Sequence, residues 1–289
     1  MIHFTALSSG SKGNSSLIST RTTTILIDAG LNCRELFRRL YSIGQDPTEI
    51  DAIVITHEHS DHILGMATTA RKLGIPVYLT EPTYREWVQQ SASRVVSTYS
   101  DWLASIESPE AQFEFAPRST DLPEVHHFQP GSPLQIGNID VTPFSIPHDA
   151  IDPVGFLFNA EGKQIAFATD LGHISTAVEE NIRNCDLLVL ESNHDIDMLE
   201  NGEYAPPLKE RVASDTGHLS NSAVAEFLSR SWESTSAWIV LAHLSASNNT
   251  PELARMSAQN ALAANPRLLE NKIIVASQDR PTMTISLES

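Results

Sequence analysis

Short apolar runs rich in β-branched residues alternate with amphipathic stretches along most of the chain. In the first third, the apolar runs predict strands at residues 2–7, 17–28, 51–55 and 75–79. Apolar positions at helical spacing predict helices at residues 32–43, 63–73 and 81–91. Gly44 and Gly74 follow the first two helices directly and end them. Such alternation is typical of a layered α/β fold.

Four later apolar runs each lead to a residue that can bind a metal ion. The runs at 139–146, 164–169, 187–190 and 238–242 lead in turn to His148, Asp170, Glu191 and His243. Functional groups in α/β folds gather beyond the strand ends at one edge of the sheet. We therefore predict that these segments converge on one rim. Helices at 174–183, 220–231 and 251–263 would cover the sheet, and strands at 272–275 and 282–287 would complete it.

The densest group of metal-binding side chains follows the run at 51–55. Residues 56–62 read T-H-E-H-S-D-H and place His57, His59, Asp61 and His62 within six positions. If the strand continues, its two-residue period places the side chains of His57 and His59 on the same face. One catalytic zinc ion usually takes three protein ligands, so four from one segment favour two ions over one. The alternative is a set of surface histidines ahead of a helix.

The ligand types can be divided between two divalent ions. His57, His59 and His148 can hold one ion, Asp61, His62 and His243 can hold the other, and Asp170 can bridge them. Zinc suits the imidazoles, manganese suits a site with carboxylates almost as well, and iron is a further possibility. Such a pair lowers the pKa of bound water by ~9 units, worth ~12 kcal/mol. This predicts hydrolysis by a metal-bound hydroxide, with Asp61 orienting it or accepting its proton.

Composition limits the protein class without fixing the substrate. The chain has 289 residues, of which 41% are hydrophobic, and no obvious linker divides it, so we expect one domain over 1–289. Residues 97–125 are acidic and weakly patterned, which predicts an insertion or lid. The net charge of −17 argues against a broad basic face for nucleic acid, although salt screens surface charge over roughly 8 Å.

The two cysteines and the absence of targeting signals indicate a reduced compartment. Cys33 and Cys185 are far apart and outside any C-x-x-C pattern, so we expect buried thiols. Residues 1–5 do not resemble a signal peptide, and no run approaches the ~18 apolar residues of a membrane span. We expect a cytoplasmic protein that is not membrane-bound; its oligomeric state is left open.

Several further residues have both a functional and a structural interpretation. The loop at 8–16, with Ser11 and Asn14, can present backbone N–H groups to a phosphate, or it can be a plain hairpin connection. Asp28 either supports a ligand from behind or forms a turn. His194 and Asn248 are candidate substrate contacts that could equally be structural. Four histidines are predicted to be non-ligands: His3, His126, His127 and His173.

Taken together, these motifs resemble the metallo-β-lactamase fold superfamily. The T-H-E-H-S-D-H motif, the later His148, Asp170 and His243, and the strand ending I-L-I-D-A-G carry the resemblance, which spans nearly the whole chain. It implies a four-layer αββα sandwich with a dinuclear site at one edge. The segments at 7–16, 191–195, 217–221 and 242–245 look like the YycJ/WalJ branch, whose members are regarded as 5′ to 3′ DNA exonucleases.

The same segments are also similar to tRNA 3′-end processing nucleases. By that resemblance Glu191 would orient His218, and His218 would contact the scissile phosphate or protonate the leaving oxygen. The sequence G-H-L-S-N departs from the G-H-S-T pattern of those nucleases. His218 also has a structural interpretation as part of a helix-capping loop.

We predict a metal-dependent phosphodiesterase, specifically a DNA exonuclease. Small cyclic nucleotides and RNA 3′ ends are alternative substrates for the same chemistry. Thioester or lactam hydrolysis is a second class, because one fold can host several reactions. A metal-binding regulatory module without turnover is a third.

Overall fold

The structure is a computed structural model that describes residues 1–92 and 119–288. In that part of the chain, fourteen strands form two mixed sheets of seven. The strands of the first half are β1 (Ile2–Ser8), β2 (Ser15–Ser19), β3 (Thr24–Ile27), β4 (Ala52–Val54), β5 (Val77–Thr80) and β6 (Val125–Phe128). They form the first sheet together with the last strand of the chain, Ile285–Leu287, which pairs with β1.

The second sheet is built from consecutive strands. They are β7 (Leu134–Ile136), β8 (Ile139–Ser145), β9 (Val154–Ala160), β10 (Lys163–Ala168), β11 (Leu187–Glu191), β12 (Trp238–Ala242) and β13 (Lys272–Val275). The final strand, Ile285–Leu287, is β14. Strands β7 to β10 pair antiparallel, whereas β10 to β13 pair parallel.

Helices cover the outer face of each sheet. The first group is Cys33–Ser42, Ser60–Ile63, Met66–Leu73 and Glu81–Ala92, and the second is Thr176–Ile182, Ile196–Asn201, Pro206–Val212, Asn221–Arg230 and Pro251–Ala263. Phe4 and Phe156 belong to a core between the two sheets, while Leu36 and Leu228 belong to separate cores beneath the outer helices. Three apolar cores separate four layers, which confirms the predicted αββα sandwich.

The predicted helices correspond closely to observed ones, but one predicted strand was wrong. Asn32 caps helix Cys33–Ser42, and Gly74, with a φ of 68°, caps the helix that ends at Leu73. Residues 17–28 instead form the antiparallel pair β2 and β3. The turn between them has no glycine and is closed by the Thr20 N–H, which donates to the Thr23 carbonyl at 2.8 Å. Most of the predicted lid, residues 97–118, lies outside the described residues.

The two sheets bring their parallel strands to one rim. Three residues there have left-handed backbones: Asp28 follows β3, Asp170 follows β10 and His243 follows β12, with φ of 57°, 60° and 53°. Residues other than glycine rarely adopt this conformation, and it turns the chain sharply at the strand end. Each of these three side chains is buried at the site described below.

Both cysteines lie in the environment that the sequence predicts. Cys33 and Cys185 are both buried free thiols. Burial raises the pKa of the Cys185 thiol to about 12. Within residues 1–92 and 119–288, none of the helices has the length and apolar character needed to cross a membrane.

Candidate metal centre

The histidine motif lies beyond the end of β4 rather than within it. β4 stops at Val54, and His57 and His59 occupy an irregular segment before the short helix Ser60–Ile63. Their ring centroids are nevertheless 4.6 Å apart. The prediction that a strand period gives these two side chains the same facing was wrong, because the strand ends before them. A turn and the start of a helix position them instead.

Three imidazoles form the first ligand group. Nitrogen atoms of His57, His59 and His148 lie within 4.8 Å of one another. The separation of His148 Nε2 from His59 Nδ1 is 3.3 Å, while His148 Nδ1 is 3.2 Å from the Gly217 carbonyl and donates to it. Burial lowers the pKa of both His57 and His148, so both rings are neutral and keep a lone pair for a metal ion.

A second group contains Asp61, His62 and His243, again with ligand atoms within 4.8 Å. Asp170 lies between the two groups. Its Oδ2 is 3.4 Å from His62 Nε2, and it also forms a cluster with His57 and His62. Burial opposes ionisation of Asp61, but His62 and His243 together outweigh burial and lower the pKa of Asp61 below its usual range. The seven predicted ligands are therefore adjacent.

Asp28 supports ligands from behind. It accepts hydrogen bonds from His62 Nδ1 at 2.8 Å and from the Thr56 N–H at 2.9 Å. The Thr56 hydroxyl donates to Asp28 and lies 2.9 Å from His57 Nδ1, which donates to it. This chain fixes the tautomers of two ligand imidazoles and leaves Nε2 of each directed at the site.

Glu191 supports two more histidines. Its Oε1 accepts from His218 Nδ1 and from His243 Nδ1, each at 2.8 Å. Its Oε2 accepts the backbone N–H groups of Leu171 and Leu219, each at 3.0 Å. Burial would raise the pKa of Glu191, but the charge and hydrogen bonds of His218 and then of His243 outweigh burial and lower it, so the carboxylate is ionised. The contact with His218 is the predicted one, and the contact with His243 was not predicted.

Several buried ligand atoms in the cluster lack a hydrogen-bond partner, and their chemical types suit divalent cations. His57 Nε2, His243 Nε2 and Asp170 Oδ2 are buried without a hydrogen-bond partner among the described residues. Buried polar atoms are normally paired, and buried carboxylates need compensating positive charge. Imidazole nitrogens and carboxylate oxygens are the ligands that zinc and manganese prefer. The cluster therefore has the composition and the unpaired ligand atoms that a divalent-metal site requires.

The ligand groups open into a cavity of about 210 Å³. His59, Asp61, Asp170, His218 and His243 line it, and the exposed Ser11 lies at its wall. The cavity is thus the place where a substrate would reach the ligands.

The other predicted substrate contacts do not line the cavity. Asn14 is buried and its amide donates to Asp61 Oδ2 at 3.1 Å. His194 and Asn248 are also buried and do not line the cavity. Their predicted contacts with substrate remain predictions. Four other histidines fall outside the ligand groups formed by the described residues: His3, His126, His127 and His173.

Sequence reasoning missed several residues at the cavity. Asp149, Asn193, Tyr204 and Arg211 all line it. Asp149 directly follows the ligand His148, and its position could have suggested a role. Tyr204 and Arg211 come from a segment with no metal-binding pattern, and only the tertiary structure places them at the cavity.

The fold and the ligand cluster define a class, and the comparisons agree with it. The family model described as the beta-lactamase superfamily domain matches residues 23–236. The chain belongs to the metallo-β-lactamase fold superfamily.

Within that superfamily, the chain is similar to a narrower group. It is 36% identical to the exodeoxyribonuclease WalJ of Streptococcus pneumoniae, over 90% of this chain and 88% of that protein. It is 32% identical to the exodeoxyribonuclease YycJ of Bacillus anthracis, over 90% and 89%. Among solved structures, the metallo-β-lactamase fold protein YhfI of Bacillus subtilis superposes with a TM-score of 0.66 at 14% identity, covering 97% of this chain and 98% of that one. The predicted resemblance to this branch is confirmed.

Proposed function

We propose that this chain is a metal-dependent exodeoxyribonuclease that removes nucleotides in the 5′ to 3′ direction. The observation that carries the proposal is the cavity itself, where members of both ligand groups and His218 face the same space, with Glu191 buried behind His218. Phosphodiester hydrolysis needs charge neutralisation at the phosphate and a proton for the leaving oxygen. The residues at this cavity can supply both.

We propose that the two ligand groups hold two divalent ions. The first would be held by His57, His59 and His148, and the second by Asp61, His62 and His243, with Asp170 shared between them. When bound, such a pair of zinc or manganese ions lowers the pKa of water and neutralises charge on the attacked phosphate. Asp61 is the ligand with the most accessible carboxylate, at 22% side-chain exposure, and it can accept a proton from the attacking water.

His218 is placed to act on the leaving group. Its Nδ1 donates to Glu191, so its Nε2 carries a transferable proton when the ring is the charged imidazolium. Burial opposes protonation, but the adjacent Glu191 carboxylate outweighs burial and raises the pKa of His218. The ring is 20% exposed and lines the cavity, which lets its proton reach a substrate oxygen. We assign His218 as the general acid and Glu191 as the residue that positions it.

DNA is the substrate best supported by the comparisons. Two relatives that match 90% of this chain are named exodeoxyribonucleases. Cyclic nucleotides, RNA 3′ ends, thioesters and lactams are not favoured by these names. A regulatory module without turnover is not favoured either.

Digestion of end-labelled oligonucleotides tests the proposal. Metal-loaded protein is incubated with single-stranded DNA labelled at either the 5′ or the 3′ end, with a chelator as control. A 5′ to 3′ exonuclease releases the 5′ label at once as a mononucleotide and shortens the 3′-labelled strand progressively. Internal fragments from both substrates would indicate an endonuclease, and no digestion in any metal would refute the function.

A further inference from the structure

One arginine faces the cavity. Among the described residues that line the cavity, Arg211 alone has a guanidinium or ammonium group. Its side chain is 57% exposed, so a substrate can reach it. It lies near the end of helix Pro206–Val212, on an otherwise acidic molecule with a net charge of −17. A phosphate at this cavity therefore meets one fixed positive charge from the protein.

The guanidinium is held beside the first ligand group. Arg211 Nε donates to Asp149 Oδ2 at 2.5 Å. The other oxygen, Asp149 Oδ1, lies 3.4 Å from Nε2 of the ligand His148. The Asp149 N–H in turn donates to the Thr216 carbonyl at 3.0 Å. The Asp149 carboxylate thus lies between Arg211 and the metal ligands. The positive charge of Arg211 is therefore next to the reacting position and not on it.

The backbone of Arg211 is coupled to the loop that carries His218. The His218 N–H donates to the Val212 carbonyl at 2.9 Å. A Cβ atom on Gly217 would lie 2.2 Å from the Arg211 carbonyl oxygen, so the close packing at this point requires glycine. The backbone positions of Arg211 and of the proposed general acid are therefore fixed relative to each other along the cavity wall.

Two donor groups of Arg211 remain for a ligand. Nη1 and Nη2 have no hydrogen-bond partner within residues 1–92 and 119–288, because only Nε is used by Asp149. A guanidinium binds two phosphate oxygens at once through such donors. We infer that Arg211 binds the phosphate adjacent to the scissile one, and so selects substrates with consecutive phosphates over isolated phosphodiesters. This inference rests on the proposed function.

The test compares two substrates in matched variants. A single-stranded oligonucleotide has neighbouring phosphates, whereas bis(p-nitrophenyl) phosphate has one phosphodiester alone. Arg211→Gln should raise KM for the oligonucleotide about tenfold with little change in kcat, because charge-assisted hydrogen bonds are lost. The slope of log(kcat/KM) against log salt should become shallower by about 0.7, the value for one phosphate contact on a single strand. Hydrolysis of bis(p-nitrophenyl) phosphate should fall much less, because this substrate has no second phosphate.

Two control variants separate charge from structure. Arg183→Gln removes another exposed arginine, which pairs with Glu233 and does not line the cavity. This variant should hydrolyse both substrates at the wild-type rate. Arg211→Lys keeps the charge, so the salt dependence should stay close to wild type. An unchanged salt slope in Arg211→Gln, or an equal loss on both substrates, would overturn the inference.

Failure of the proposed function is distinguishable from failure of this inference. If wild-type protein does not degrade the oligonucleotide, the function fails. Calorimetry on the metal-loaded protein then still tests the arginine with thymidine 3′,5′-bisphosphate and thymidine 5′-monophosphate. Wild type should bind the bisphosphate more tightly, and Arg211→Gln should lose that preference. If wild type and Arg211→Gln prefer the bisphosphate over the monophosphate to the same extent, a second phosphate site at Arg211 is refuted.

Discussion

At the scale of single residues, two buried carboxylates organise the metal centre. Asp28 fixes His62 directly and His57 through Thr56, while Glu191 fixes His218 and His243. Each carboxylate directs the lone pair or proton of two imidazoles. Hydrogen bonds to the far nitrogen of a ligand histidine are known to affect metal affinity strongly. Loss of either carboxylate therefore disturbs two functional rings at once.

Substitution of His59 tests one predicted ligand with little expected effect on stability. We expect His59→Ala to abolish phosphodiester cleavage without unfolding the chain, since the ring is only partly buried and its hydrogen bond is to another ligand, His148. Activity on bis(p-nitrophenyl) phosphate and the thermal unfolding of the metal-free protein measure the two effects. His173→Ala is the matched control, because His173 lies outside the ligand groups. Full activity in His59→Ala would exclude it as a ligand.

His218 should affect turnover and not metal content. We expect His218→Ala to lower kcat by about 10²- to 10⁴-fold, the usual contribution of a general acid. Metal content by elemental analysis should equal wild type. A leaving group that needs no proton, such as p-nitrophenolate, should reduce the defect. Loss of metal from this variant would show that His218 is a ligand and not an acid.

At the scale of secondary-structure elements, close backbone contacts hold the motif in place. The Asn14 N–H donates to the Asp61 carbonyl at 2.7 Å, and Gly30 packs against the same carbonyl. A Cβ on Gly30 would lie 1.6 Å from that oxygen. The loops after β1 and β3 therefore fix the short helix that carries Asp61 and His62.

Gly30→Ala should damage both stability and the site. We expect the free energy of unfolding to fall by about 2 kcal/mol or more, because a backbone atom must move. Metal affinity should fall with it, since Asp61 is displaced. Gly162→Ala is the control: its left-handed turn is open, so it should cost about 1–2 kcal/mol and leave metal affinity unchanged. Wild-type metal affinity in Gly30→Ala would mean that this contact does not position Asp61.

The sequence predicted which residues come together at the strand ends better than it predicted the cavity wall. Strand ends are local features, and the topology of an α/β fold brings them together, so the convergence of His148, Asp170 and His243 could be predicted from apolar runs. The turn between β2 and β3 could not be predicted, because its four residues include no glycine and carry no turn signal. Helices Ile196–Asn201 and Pro206–Val212 also escaped prediction: Ile196 and Leu208 are exposed, which blurs the helical pattern. Arg211 belongs to that segment.

At the scale of the whole molecule, an ion pair ties the first outer helix to both ends of the chain. Arg39 is buried, and its Nη1 donates to the carbonyls of Leu7 and Gln278. Glu35 accepts from Arg39 Nε at 2.7 Å and also from Arg38. Hydrogen bonds from Arg38, then from Arg39, lower the pKa of Glu35 to about 2.

This pair predicts a pH-dependent contribution to stability. A carboxyl whose pKa falls on folding stabilises the protein above its unfolded pKa, near 4.5, and the contribution is lost as pH falls toward 2. Glu35→Gln should therefore lower the melting temperature at pH 7. The difference from wild type should shrink between pH 4.5 and pH 2, as measured by thermal unfolding. A difference that is constant over this range would contradict the assigned pKa.

The most direct test of the account is metal titration of chelator-treated protein, followed by hydrolysis of bis(p-nitrophenyl) phosphate. The predicted result is no activity without metal, and activity that rises with added zinc or manganese to a plateau at two ions per chain. Full activity in the metal-free protein, or no stoichiometric uptake of either metal, would contradict the claim that these seven residues form a metal centre for phosphodiester hydrolysis.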